Sequence, residues 1–129
     1  LLDTPSRKGD RAGAGAVHAA QALDGGRLAH AVAAHQCHDL AGADPFKQSL
    51  AIAGIDGTLD KRFSADLKGR VFAKTGYIRG VSCLSGYLQA QNGDWYAFSL
   101  LFNDLREDKI RTAKRAQEKI VSALDKASR

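Results

Sequence analysis

Residues 95–103, WYAFSLLFN, are apolar on both alternating faces apart from Ser99 and Asn103, and they follow directly on Gln91-Asn92-Gly93-Asp94. Successive side chains of a strand point to opposite sides, so a strand of this kind needs cover on both and belongs in the middle of a sheet. Asn-Gly is a pair that tight hairpin turns favour, because it tolerates positive φ. The preceding strand is then GVSCLSGYLQA, residues 80–90, and Gly80 separates it from GRVFAKTGY, residues 69–77. Beyond the sheet, Ile110, Ala113, Gln117, Ile120 or Val121, and Leu124 fall near one face of a helix, with Lys and Arg elsewhere. Asp104 and Glu107 have the spacing of a capping box, with Asp in place of Ser or Thr. Three antiparallel strands with a helix packed on them predict an α+β architecture.

The remainder of the chain is less patterned. At 129 residues and 44% apolar content it supports one domain. Residues 1–15 carry Pro5, Gly9, Gly13 and Gly15 among charges and read as a loop-like entry. Residues 16–36 are alanine-rich and predict two short helices on either side of Asp24-Gly25-Gly26. Asp44-Pro45 predicts a turn, since the residue before proline is biased away from helical angles. From Ser49 an apolar stretch leads through Asp56-Gly57 into a loop that precedes the sheet. The boundary falls between an Ala/Gly-rich segment at 1–48 and a structured part at 49–129. The chain contains no methionine, which reads as a processed product or a fragment of a longer protein.

Several function classes find little support. The net charge of +5 suits an anionic partner, but the basic residues are dispersed or lie on the C-terminal helix, where they predict a solvated face, and no aromatic RNA-binding signature accompanies them. A nucleic-acid partner is not expected. No run is long and apolar enough to span a membrane. Cys37 and Cys83 are too few for a disulfide framework, and whether they pair is open. His30, His35, Cys37 and His38 lack the three- or four-residue spacing that puts ligands on one helical face, so no metal or other cofactor is expected. Asp56 and Asp60 border a glycine turn and read as turn formers. There is no G-x-S-x-G elbow, and Ser82 and Ser85 belong to the sheet.

Lys74-Thr75-Gly76 interrupts an apolar strand with a cation, a hydroxyl and a residue without a side chain. At a strand end these fit one task. A peptide lying alongside pairs with the exposed backbone, the ammonium supplies positive potential, the hydroxyl reaches a carboxylate, and glycine leaves room for the approach. The tripeptide alone is not specific. Its surroundings are: the order GIDGTL, KTG, GVSCLSGY and AFSLLFN across residues 49–104 resembles the C-terminal part of the D-alanyl-D-alanine carboxypeptidases among the class C, low-molecular-mass penicillin-binding proteins.

That resemblance implies part of a β-lactamase/transpeptidase-like α/β/α fold and serine acyl transfer, with S-x-x-K holding nucleophile and base, S-x-N assisting proton transfer, and K-T-G bordering the cleft. Here only the third motif is present: none of Ser6, Ser49, Ser64, Ser82, Ser85, Ser99, Ser122 and Ser128 begins either of the others. The nucleophile is therefore expected upstream in a longer chain, and this segment alone is expected to be inactive. By the resemblance, Lys74 supplies charge and hydrogen bonding, Thr75 holds the terminal carboxylate of a peptidoglycan stem peptide ending in D-Ala-D-Ala, Gly76 opens the approach, and Tyr77 offers its backbone N–H to an oxyanion hole. Family members commonly carry Thr or Ser where Tyr77 stands, which puts the substrate range in question. β-Lactams are the expected inhibitors of the full-length enzyme, and a periplasmic or otherwise extracytoplasmic location follows from the resemblance alone. A reading from another class is a non-catalytic basic module that recruits an anionic cell-wall or other polymer.

Overall fold

The apolar run at 95–103 forms a strand with a neighbour on each side. The structure is a computed structural model that describes residues 22–23, 26–35 and 43–128, with side chains from Pro45 onward. Its strands are β1 (Ala22–Leu23), β2 (Gly26–His35), β3 (Ala51–Ile52), β4 (Val71–Ile78), β5 (Val81–Gln89) and β6 (Trp95–Asn103), and its helices are α1 (Ala43–Gln48) and α2 (Ile110–Ala127). The strands form one sheet in the order β1-β2-β6-β5-β4-β3. Every neighbouring pair is antiparallel. As the sequence predicts, β4, β5 and β6 are a meander: Lys74 lies opposite Ser85, and Ser85 opposite Ser99. Gly93 closes the β5–β6 turn with φ of 90°, and its N–H donates to the Ala90 carbonyl at 3.0 Å.

The pleat assigns two faces. Val71, Leu84, Leu88, Phe98, Leu100 and Phe102 point to one face and are buried there with Ala113 and Val121 of α2. Each large side chain of this set contributes about 1.5–3 kcal/mol by leaving water. Polar groups that enter this layer are partnered. Ser82 accepts from Gln117 Nε2 at 3.2 Å, and both residues are buried. Asp125, only 2% exposed in its side chain, accepts from Arg70 Nη1 at 2.7 Å and Nη2 at 3.1 Å, and from the Gln91 backbone N–H at 3.2 Å. The hydrogen bond to Asp125 holds the Arg70 guanidinium above its ordinary pKa, against the opposing effect of burial. One buried carboxylate thus ties the start of β4 and the β5–β6 turn to the end of α2.

Four expectations are corrected. Residues 26–35 are a strand, not helix, and β2 pairs with β6 from Arg27↔Asn103 to His35↔Tyr96 with one register shift between Leu28 and His30. Alanine favours a helix intrinsically, but the backbone edge of the apolar β6 needs partners, and a ten-residue strand supplies them. Among the described residues the sheet therefore has four long strands, not three. Asp44-Pro45 lies in the first turn of α1, where proline's missing N–H is not needed, and not in an isolated turn. The loop after Ser49 includes the two-residue β3. The capping box does not form: Asp104 is left-handed at φ 53°, a 3-10 turn (Glu107–Lys109) intervenes, and α2 has Lys109 at its N-cap with no side-chain bond. The readings of residues 1–21 and of Cys37 and His38 lie outside the described residues.

Candidate functional site

The site residues singled out above all lie on β4, and the strand changes character along its length. Val71 and Ala73 are fully buried, whereas Lys74, Gly76, Tyr77 and Ile78 are exposed. The change coincides with the start of β3, which pairs only Ala51↔Ala73 and Ile52↔Phe72. The Val71 carbonyl accepts from the Ala53 N–H on the β3 side at 2.9 Å, and the Arg70 carbonyl accepts from Gln89 on the β5 side at 2.8 Å. Backbone groups of successive residues point to opposite edges. Thr75 and Tyr77 therefore share Val71's direction and aim N–H and C=O at an edge that no strand occupies among the described residues.

Side chains alternate as well, so the tripeptide divides between faces. Lys74 and Ser85 are paired on the face away from α2, beside a groove of about 280 Å³ lined also by Phe46, Leu50, Tyr87 and Ala97. Phe46 of α1 meets Tyr87 edge-on with ring centroids 6.1 Å apart, and Lys47 lies 4.0 Å from the centroid of the Trp95 ring. Beyond this helix the polar pair Ser85 and Ser99, 2.8 Å apart through their hydroxyls, faces out from the sheet. Lys74 Nζ donates to the Thr75 carbonyl at 2.6 Å, which brings its charge to the open edge. Thr75 takes the other face, and its hydroxyl donates to Thr58 Oγ1 at 3.2 Å. Tyr77, 54% exposed, has the same parity as Thr75.

Asp56 and Asp60 do not join the site. Asp56 Oδ1 accepts from the Ile52 N–H at 2.7 Å, and Asp60 ends the 3-10 turn Gly57–Leu59. Ser82 is buried under α2 and Ser85 is a strand residue on the open face, in line with their assignment to the sheet. Thr58 and Phe46 were not singled out in the sequence. The turn that carries Thr58 was legible at Asp56-Gly57, but nothing local indicated that it would close on a strand seventeen residues further on.

A model of the D-Ala-D-Ala carboxypeptidase 3 (S13) family matches residues 23–125. The chain belongs to that family. Among solved structures, this S13 chain is similar to penicillin binding protein 4 of Haemophilus influenzae, with 25% identity, TM-score 0.57, and coverage of 65% of this chain and 21% of that one. It is also similar to Bd3459, a predatory peptidoglycan endopeptidase of Bdellovibrio bacteriovorus, with 26% identity, TM-score 0.51, and coverage of 60% and 20%. The S13 chain thus spans about one fifth of the length of these relatives. Its sheet and C-terminal helix are a part of the penicillin-binding fold. No curated protein matches it.

Proposed function

We propose that residues 49–129 are the C-terminal part of a transpeptidase-like domain in a serine-type D-Ala-D-Ala carboxypeptidase, acting on cell-wall peptides outside the cytoplasmic membrane. The observation that carries this reading is the β4 edge beyond Ala73: Thr75 and Tyr77 direct backbone donors to an edge that no strand occupies among the described residues, and Lys74 brings its ammonium beside them. A peptide that adds itself as a strand gains main-chain hydrogen bonds there, and the positive charge favours a chain ending in a carboxylate.

In the complete enzyme the serine of S-x-x-K, carried by sequence outside this chain, attacks the carbonyl of the penultimate D-alanine. The oxyanion formed accepts a hydrogen bond from the Tyr77 N–H, and Lys74 stabilises the developing charge. The C–N bond breaks, the leaving amine takes a proton, and terminal D-alanine departs. Water then hydrolyses the ester and restores the serine. Thr75 holds the terminal carboxylate through its hydroxyl, and Gly76 leaves the approach unobstructed. The Tyr77 ring, being exposed, alters the rim without removing the N–H. β-Lactams acylate the same serine; one solved relative is a penicillin G acylated Bd3459. The family, its peptidoglycan-acting relative and the chemistry of the substrate support an extracytoplasmic site; among the described residues no helix is long and apolar enough to cross a membrane.

Reading the coding sequence upstream of Leu1 is the direct test, followed by fluorescent penicillin labelling of both the longer product and the 129-residue chain. In-frame S-x-x-K and S-x-N motifs, with label only on the longer product, are expected. Covalent label on the 129 residues alone, or an upstream frame without either motif, contradicts the proposal.

A further inference from the structure

The division of Lys74 and Thr75 between faces leaves a question about how the Thr75 hydroxyl is aimed at the edge. Its one side-chain partner among the described residues is Thr58, 3.2 Å away. Thr58 is itself held firmly. Leu59 beside it is fully buried, the Gly54 N–H donates to the Leu59 carbonyl at 2.9 Å, and Asp56 Oδ1 fastens the turn to Ile52 at 2.7 Å. Gly57 has φ of 56°, and a Cβ there would lie 3.0 Å from the Ala51 Cβ, so the turn sits close against β3. Where β3 begins, with Ala51 opposite Ala73, the turn brings Thr58 next to Thr75.

We propose that Thr58 is a positioning residue for the Thr75 hydroxyl, and that the two hydroxyls form a relay that selects a free carboxylate at the end of the bound peptide. This inference rests on the reading of the β4 edge as the peptide-binding strand. A peptide antiparallel to β4 has its C-terminus beside the start of that edge, next to Thr75 and Thr58. A carboxylate only accepts, and each hydroxyl has one hydrogen. In the free protein Thr75 donates to Thr58; on binding, Thr75 turns its hydrogen to the carboxylate and Thr58 donates to the vacated Thr75 oxygen. Each bond polarises the next, so the relay strengthens the Thr75 bond to a charged acceptor. A peptide ending in a carboxamide gains much less from it.

The test is titration of the isotopically labelled 129-residue chain with an N-acyl-D-Ala-D-Ala peptide and with its C-terminal amide, following backbone N–H shifts on β4. The quantity read is the ratio of the two affinities, which a general loosening of the turn leaves unchanged because both ligands suffer alike. Thr58→Val is expected to reduce the preference for the acid by roughly three- to tenfold, the range for losing one hydrogen bond in such a relay. Thr58→Ser retains it, and Thr58→Val adds nothing in a Thr75→Val background. If the unsubstituted chain binds neither peptide or does not distinguish them, or if Thr75→Val keeps the preference, the reading of the edge fails and this inference with it. If Thr75→Val removes the preference while Thr58→Val leaves it intact, or the two effects are additive, the relay is wrong and the edge reading stands.

Discussion

Val71 and Ala73 are buried with backbone partners at both edges, whereas Lys74–Ile78, the continuation of the same strand, has only β5 as a neighbouring strand among the described residues and stands largely exposed. The first half is fixed by the apolar layer under α2 and by Arg70, which Asp125 holds at the strand's entry. The second half contributes little to that layer, and its outer edge has no strand partner among the described residues. An exposed strand edge is ordinarily an aggregation hazard. Here it begins at a lysine and a hydroxyl and is bordered at one end by Thr58, and the proposed function gives it a short peptide as its partner. The contrast teaches that one strand can be anchored by its first residues so that its last ones need not be.

Substitutions on the anchored half are expected to unfold the protein, and those on the free half to spare it. Asp125→Ala has the largest effect, because Arg70 keeps its charge in a partly buried position without its carboxylate; urea unfolding is expected to show a loss of about 3–5 kcal/mol. Gly86→Ala comes next. A Cβ there would overlap the Phe72 carbonyl oxygen and lie 2.6 Å from the Ala73 Cα, so β4 must move at the junction of its halves. A loss of about 1–3 kcal/mol is expected from such overpacking, and the shift of β4 should be visible in its amide spectrum.

A smaller effect concerns Tyr96, whose phenol is pushed above its ordinary value by burial and by the nearby Asp94 charge. Folding therefore favours the neutral phenol, and this contribution is complete below the unfolded value near 10.0 and lost as pH rises through the folded one. Unfolding measured across that range should show a decline that Tyr96→Phe flattens. Lys74→Ala is expected to be the mildest of the set for stability, within about 0.5 kcal/mol as for exposed positions generally, while weakening the binding of an anionic peptide. A large destabilisation by Lys74→Ala would erase the distinction between the two halves.

The meander and the helix were legible because their patterns are local: Asn92-Gly93 marks a turn, the apolar run WYAFSLLFN belongs inside the sheet, and Ala113, Gln117 and Val121 share one helical face. The expected cover on both faces of that run is found only on the α2 face, the other being half-buried with Ser99 exposed. What escaped depends on partners distant in sequence. Residues 26–35 are alanine-rich, and their extended state is decided by the edge of β6, about seventy positions further along. Asp125 is indistinguishable in sequence from a solvated helix charge until Arg70 is brought against it, and Arg62, which donates to Glu118 at 2.8 Å and to Gln117 at 3.1 Å, is hidden in the same way. Lys74-Thr75-Gly76 was visible as a motif, but the two-residue period that sends Lys74 to the groove and Thr75 to Thr58 has meaning only once the edge of β4 is known.

The most direct measurement is a backbone amide shift map of the 129-residue chain with a saturating N-acyl-D-Ala-D-Ala peptide. The account predicts the largest changes at the Thr75 and Tyr77 N–H groups, which face the open edge, with Lys74 and Gly76, bonded towards β5, and the exposed face of α2 moving far less. Changes centred on α2, or none along β4, would contradict it.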